Sequence, residues 1–126
     1  MKFKNLTPHP LNIMVSDGTW MIMPVDGTAP RLATKCVELG NISGVPFVKS
    51  SMGSPEGLPD EENDTILIVS ALVAGHPHLQ DRKDLAHPGE AIRDSSGKIV
   101  GAKGLCAGPG LANILLIEKN LSNKDT

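Results

Sequence analysis

Aromatic side chains are scarce in this sequence, and their scarcity limits what the protein can bind. Phe and Trp together make up 2% of the 126 residues, and there is no Tyr. The three aromatic residues are Phe3, Trp20 and Phe47. Proteins that bind single-stranded nucleic acid stack the bases on aromatic side chains, so this composition argues against that class. An aliphatic core is expected instead, because apolar residues make up 40% of the chain.

The sequence also lacks a strong net charge, a long apolar run and a cysteine motif. A net charge of −2 disfavours a general binder of nucleic-acid polymers or membranes. No apolar run approaches the ~18 residues of a membrane span, and the N-terminal segment has no signal core, so we expect a cytoplasmic protein. Cys36 and Cys106 are far apart in the sequence, and we expect both to be reduced thiols.

Short apolar segments between turn signals predict the fold class. Asp17-Gly18 is a strong signal for a hairpin that joins residues 11–16 to residues 19–23. We therefore expect an α+β, mostly β protein, an antiparallel sheet or sandwich with one or two short helices. It should be a single globular domain over residues 1–118, with a flexible tail at 119–126. The remaining predicted segments are strands at 2–6, 31–39, 45–49, 65–70, 90–93, 98–102 and 111–117, a loop at 50–64, a short helix at 71–74 and turns at 87–89 and 104–110.

A basic, polar segment follows the most apolar strand, residues 65–70, and is the best candidate for a binding site. Arg side chains bind phosphate oxygens in pairs, and a neighbouring carboxylate can orient them or contact a ribose hydroxyl. A ligand at the end of a buried strand is also a common arrangement in open sheets. The alternative is a solvated loop in which acids neutralise the basic groups. The candidate ligand-binding residues are Ser70, Arg82, Lys83, Asp84, His87, Arg93 and Asp94.

Three other functions stay open from the residues alone. His76 and His78, with Asp81, could hold a metal ion, although Pro77 between them makes the spacing unusual. Ser70 could act as a nucleophile in a small hydrolase, but it lacks the flanking glycines of the G-x-S-x-G motif. An edge strand near Pro46 could bind another protein. No cofactor motif is present, because the glycine-rich segments match neither phosphate-binding pattern.

The combined pattern of NLTPHPLNI (5–13), TILIVSALVA (65–74), RKDL (82–85) and IRDSSGKIVGAKGL (92–105) resembles a family of small bacterial and phage proteins. A fainter resemblance is to phage anti-defence sponge proteins of the Thoeris and CBASS systems. This second resemblance implies a non-enzymatic homo-oligomer in the host cytoplasm. Such a protein would sequester an anionic nucleotide-type signal, a cyclic nucleotide or a cyclic ADP-ribose-like molecule, without cleaving it. It would have neither catalytic residues nor a cofactor.

Overall fold

The fold is that of a computed structural model, which describes the backbone of residues 1–124 and the side chains of residues 1–119. Strands dominate, so the α+β, mostly β class predicted from the sequence is confirmed. The strands are β1 (Lys2–Asn5), β2 (Leu11–Met14), β3 (Trp20–Met23), β4 (Arg31–Ile42), β5 (Val45–Glu56), β6 (Thr65–Ile68), β7 (Leu85–Arg93) and β8 (Ile99–Ala107), and the helices are α1 (Ala71–Ala74) and α2 (Pro109–Lys124).

Six of the strands form one curled sheet in the order β1-β6-β7-β8-β2-β3. The β7–β8 and β2–β3 pairs are antiparallel hairpins, and three parallel pairs join them to each other and to β6 and β1. Asn5, at the end of β1, forms a parallel bridge with Val25, just beyond β3. Because β1 and β3 are the two edge strands, this bridge brings the edges together and nearly closes the sheet into a barrel.

A buried polar network around Asn5 holds the two edges of the sheet together. The Asn5 side chain is fully buried, and its Nδ2 donates to the carbonyl oxygens of His9 and Met23 at 2.9 and 3.0 Å. Its Oδ1 accepts from the amide and the hydroxyl of Thr7. All the polar groups of this side chain are therefore paired, as a buried amide requires. Residues 5–10 (NLTPHP) close the barrel through this network. This role accounts for the polar, proline-rich composition of the segment.

The apolar core lies on both faces of β6. Leu67 and Ile68 point to opposite faces and are both buried, because the strand is covered on each side. The cluster inside the barrel contains Ile13, Met23, Ile68 and Ala102. The cluster outside it, under α1, contains Leu6, Leu67, Val69, Val73, Ala74 and Leu85.

Strands β4 and β5 form a separate two-stranded ribbon, which we call the arm (residues 31–56). Most of its residues are exposed. The predicted strand at 45–49 is correct but too short, and the loop predicted from residue 50 begins only after Glu56. Residues 50–56 are rich in Ser, Gly and Pro, and they adopt an extended conformation because β4 pairs with them along most of its length.

Other segments also differ from the prediction. The turn predicted at 104–110 is divided between β8, which continues to Ala107, and α2, which begins at Pro109. β7 runs straight through His87-Pro88-Gly89, which was predicted to be a turn, because these residues pair with residues of β8. Residues 111–117 were predicted to form a strand but lie in α2, which begins at Pro109, where a fixed φ suits the first turn of a helix. The same helix continues to Lys124 where a tail from residue 119 was expected, and residues 125–126 of that tail lie outside the described residues.

Candidate functional site

Arg82 belongs to an ion pair that ties a loop to the domain. Its Nε and Nη2 donate to the two carboxylate oxygens of Asp84 at 2.9 and 2.8 Å, and Nη2 also donates to the Pro59 carbonyl oxygen at 2.8 Å. Glu61 adds a longer ion pair at 3.4 Å. The hydrogen bond to Asp84 raises the pKa of Arg82 above its ordinary value. This guanidinium is therefore committed to protein acceptors, and Asp84 is buried beneath it.

Arg93 and Asp94 lie at the opposite end of β7 from Arg82. Arg82 lies three residues before β7 and Arg93 is its last residue, and the strand itself, at ~3.3 Å per residue, spans about 26 Å from Leu85 to Arg93. Arg93 Nη1 donates to the Gly97 carbonyl oxygen, within the β7–β8 turn. Asp94 accepts from the hydroxyl and amide of Ser96, and the hydroxyl is the main reason that its pKa is lowered. These two side chains stabilise a hairpin turn, and they form no cluster with Arg82.

The remaining candidate residues are also dispersed. Lys83 is exposed beside Arg82, and its backbone amide donates to Glu61. His87 is half-buried on β7, directly opposite Cys106 of β8. Ser70 accepts from the Val73 amide at 3.3 Å and caps α1, as the sequence suggested. The seven residues thus occupy several separate places, and the single basic pocket predicted from the sequence is not formed.

The two histidines of the predicted metal site instead bind the base of the arm. His76 is buried, and its Nε2 lies 2.9 Å from the Gly53 carbonyl oxygen. Its Nδ1 accepts from the backbone amide of His78, so Nε2 must carry the proton. His78 Nδ1 lies 2.7 Å from Ser54 Oγ. Within the described residues, no group of three His, Cys, Asp or Glu side chains could hold a metal ion.

A cavity of about 630 Å³ lies where the two edge strands of the curled sheet meet, and it is partly open to solvent, because Phe3 and Met21 in its lining are 40% and 42% exposed. It is lined by Phe3 of β1 and by Met21 and Met23 of β3, the two edge strands, together with Ile13 of β2 and Leu105 of β8. The cavity therefore lies at the seam between the two edge strands. Its volume falls within the ~300–1,000 Å³ range of small-molecule sites, and its lining is mainly apolar, as in such sites.

A second, smaller cavity of about 290 Å³ adjoins the first one. Phe3 and Leu105 line both cavities, and Leu111 and Leu115 of α2 cover the second. The space beside Phe3 and Leu105 is therefore only partly filled by side chains. An apolar trough extends from β3, past the Phe3 ring, to α2.

Ser16 and Lys103 supply the polar side chains of the large cavity. Lys103 is exposed on β8, beside Met14 of β2 and opposite Glu90 of β7 in the strand register. The ion pairs formed by the described side chains involve Lys4 and Arg82, and none of them includes Lys103. An ammonium group at the rim of an apolar cavity can hold an anionic head group while the cavity receives an apolar body.

This cavity could not be predicted from the sequence. On β3 only Met23 is buried, whereas Met21 and Ile22 are both exposed, so the strand shows no alternation that would mark an inward face. No local pattern in the sequence indicates that β1 closes against β3 and brings Phe3 into the same space.

Comparison of the chain with protein-family models, curated proteins and solved structures finds no match. Within the described residues, no helix has the length and apolar character needed to cross a membrane.

Proposed function

We propose that this protein is a non-enzymatic binding protein that holds a small anionic molecule with an apolar body in the cavity at the seam between β1 and β3. The observation that carries the proposal is the cavity of about 630 Å³, with its largely apolar walls and Lys103 at its rim. Ser70 and His76 are engaged in capping and in holding the arm, so neither supports the alternative of a hydrolase or a metal site.

The affinity that such a cavity can supply is moderate. A ligand of about 20 non-hydrogen atoms at ~0.3 kcal/mol per atom gains about 6 kcal/mol, a Kd in the tens of micromolar. A charged hydrogen bond from Lys103 contributes ~1.5 kcal/mol of this, which is about tenfold in Kd. Removing the ammonium should therefore weaken anion binding measurably without abolishing it.

The sequence resemblance adds a narrower version of the proposal. In that version the ligand is a nucleotide-type signal, sequestered by a homo-oligomer in the host cytoplasm. Its base would pack on Phe3, the aromatic side chain of the cavity, and its phosphate would face Lys103. The arginines are left out of this version, because Arg82 and Arg93 are hydrogen-bonded elsewhere and lie far apart.

Calorimetric titration with paired ligands tests the general proposal. Dodecanoate should bind more tightly than dodecanol, and Lys103→Gln should reduce the affinity for the acid about tenfold while leaving the alcohol unchanged. Lys98→Gln, a change at another exposed lysine, is the matched control. Met21→Trp should block both ligands by filling the cavity. Equal binding by the Met21→Trp protein would refute the cavity as the site.

A second panel decides the ligand class and the absence of catalysis. Cyclic mononucleotides and cyclic ADP-ribose are titrated in the same way, and the bound fraction is released by heating and identified by mass spectrometry. Binding of a nucleotide with recovery of the intact molecule supports the narrower version. A chemically altered product would show an enzyme, and failure of every ligand in both panels would overturn the proposal.

A further inference from the structure

The arm has one strongly apolar face. The register places Val37 opposite Lys49, Gly40 opposite Phe47 and Ile42 opposite Val45, and directly opposed residues share a face. Leu39 is the extra residue at a bulge in β4. It lies two residues after Val37 on the same strand, so we place it on the same face. The apolar face of the arm therefore consists of Val37, Leu39, Ile42, Val45 and Phe47, which are between 46% and 64% exposed.

The other face of the arm is mixed in character. It carries Glu38 opposite Val48 and Cys36 opposite Ser50, with Met52 near the base. Polar side chains alternate with apolar ones there, as expected for a surface in contact with water. The contrast between the faces indicates that one of them is normally covered.

A two-stranded ribbon is marginally stable at best in water, and this one has twelve residues in each strand. Its base is held by the contacts of His76 and His78 with Gly53 and Ser54. Beyond that base, the large side chains of the apolar face stay about half exposed or more, so the barrel does not cover them. The outer half of the arm needs a second layer to gain the burial that stabilises a sheet.

We propose that this layer is the arm of a second copy of the chain, packed face to face about a two-fold axis. An isologous interface requires a self-complementary patch, and an aliphatic patch satisfies that condition without matching charges. Five side chains that each bury about 100 Å² give ~500 Å² per arm, so the two arms bury ~1,000 Å², near the lower bound of a specific interface.

The arrangement of charges and prolines fits this geometry. Lys49 lies opposite Val37, at the border of the apolar face nearest the base, and Lys35 lies on the same face two residues closer to the base. In an antiparallel arrangement, the lysines of the two copies lie at opposite ends of the contact and do not repel each other. Pairing through the β5 edge is disfavoured, because Pro46 and Pro55 have no amide hydrogen to donate. Contact through the face is therefore favoured over extension of the sheet at that edge.

Sedimentation velocity with two matched double variants tests the proposal. Val37→Gln/Phe47→Gln changes the apolar face, and Val48→Gln/Met52→Gln changes residues of similar exposure on the other face: 56% and 46% against 58% and 46%. At about 50 µM the native protein and the second variant should sediment as dimers, and the first variant as a monomer. Circular dichroism checks that the barrel is intact in each protein.

A crosslinking experiment covers the case in which a Gln variant fails to fold. In a Cys36→Ser/Cys106→Ser background, Leu39→Cys should form a disulfide-linked dimer on mild oxidation, whereas Val48→Cys should not. A native protein that stays monomeric, equal dissociation of both double variants, or equal crosslinking at both positions would each overturn the proposal. None of these readouts depends on a ligand, so they are independent of the proposed function.

Discussion

Replacing Arg82 by Met should destabilise the protein strongly, even with no ligand present. The substitution removes two hydrogen bonds to the buried Asp84 carboxylate and one to the Pro59 carbonyl oxygen. Loss of one partner of a buried ion pair costs ~3–5 kcal/mol, because the other charge stays uncompensated. The Arg82 side chain is 19% exposed, so water can reach part of the pair, and we expect a value near the lower limit, about 3 kcal/mol.

Urea unfolding, followed by circular dichroism and by Trp20 fluorescence, measures this loss. At ~2.1 cal/mol/K per residue, a 126-residue chain should also lose about 10 °C in Tm. Lys83→Met is the control, because this neighbouring side chain is exposed and a surface change is usually within ~0.5 kcal/mol.

The double variant Arg82→Met/Asp84→Leu separates the ion pair from general packing. Replacing both charges by apolar groups is often neutral, so the double variant should be at least ~2 kcal/mol more stable than Arg82→Met alone. A cost below ~1 kcal/mol for Arg82→Met would refute this reasoning. It would also return Arg82 to the list of groups that are free to bind an anion.

Two further predictions concern the arm and the β7–β8 turn. His76→Leu should speed hydrogen exchange of the amides at the base of β5 by about tenfold or more, because the imidazole ring no longer holds that strand. Unchanged exchange would mean that the histidine does not hold the arm. Asp94 should titrate below its ordinary value of 3.8 in an NMR pH series, because the Ser96 hydroxyl and nearby backbone amides bind its ionised form. Its lowered pKa means that the contribution to turn stability is present above pH 3.8 and is lost as the pH falls through the folded-state pKa. A titration at or above 3.8 would contradict this assignment.

Local features of the fold could be predicted from the sequence, and long-range pairing could not. The β2–β3 hairpin follows from Asp17-Gly18, and the cap of α1 follows from Ser70, because each depends on adjacent residues. The extension of β5 to Glu56 depends on β4, and no residue within 50–56 favours a strand. The helix at Pro109 cannot be predicted from its residues, because an apolar run of seven residues fits either a strand or a helix, and a glycine-flanked proline is also typical of a turn.

The candidate site was predicted less well for a related reason. Arg82 and Arg93 are close in sequence, but the extended strand β7, about 26 Å long from Leu85 to Arg93, lies between them, and a helix would have kept them much nearer. The cavity, in contrast, gathers Phe3, Met21 and Leu105 from distant parts of the chain. Only the pairing order of the strands brings these residues together, and that order leaves no local signal.

The parallel pairing of β1 with β6 has a consequence for biosynthesis. Lys2 pairs with Thr65, so β1 has no partner on that side until more than sixty further residues have been synthesised. Non-local pairing of this kind slows folding, because a long loop must close before any contact is gained. The β2–β3 hairpin and the arm therefore emerge from the ribosome while the barrel is still open. Their apolar side chains are accessible to chaperones during that interval.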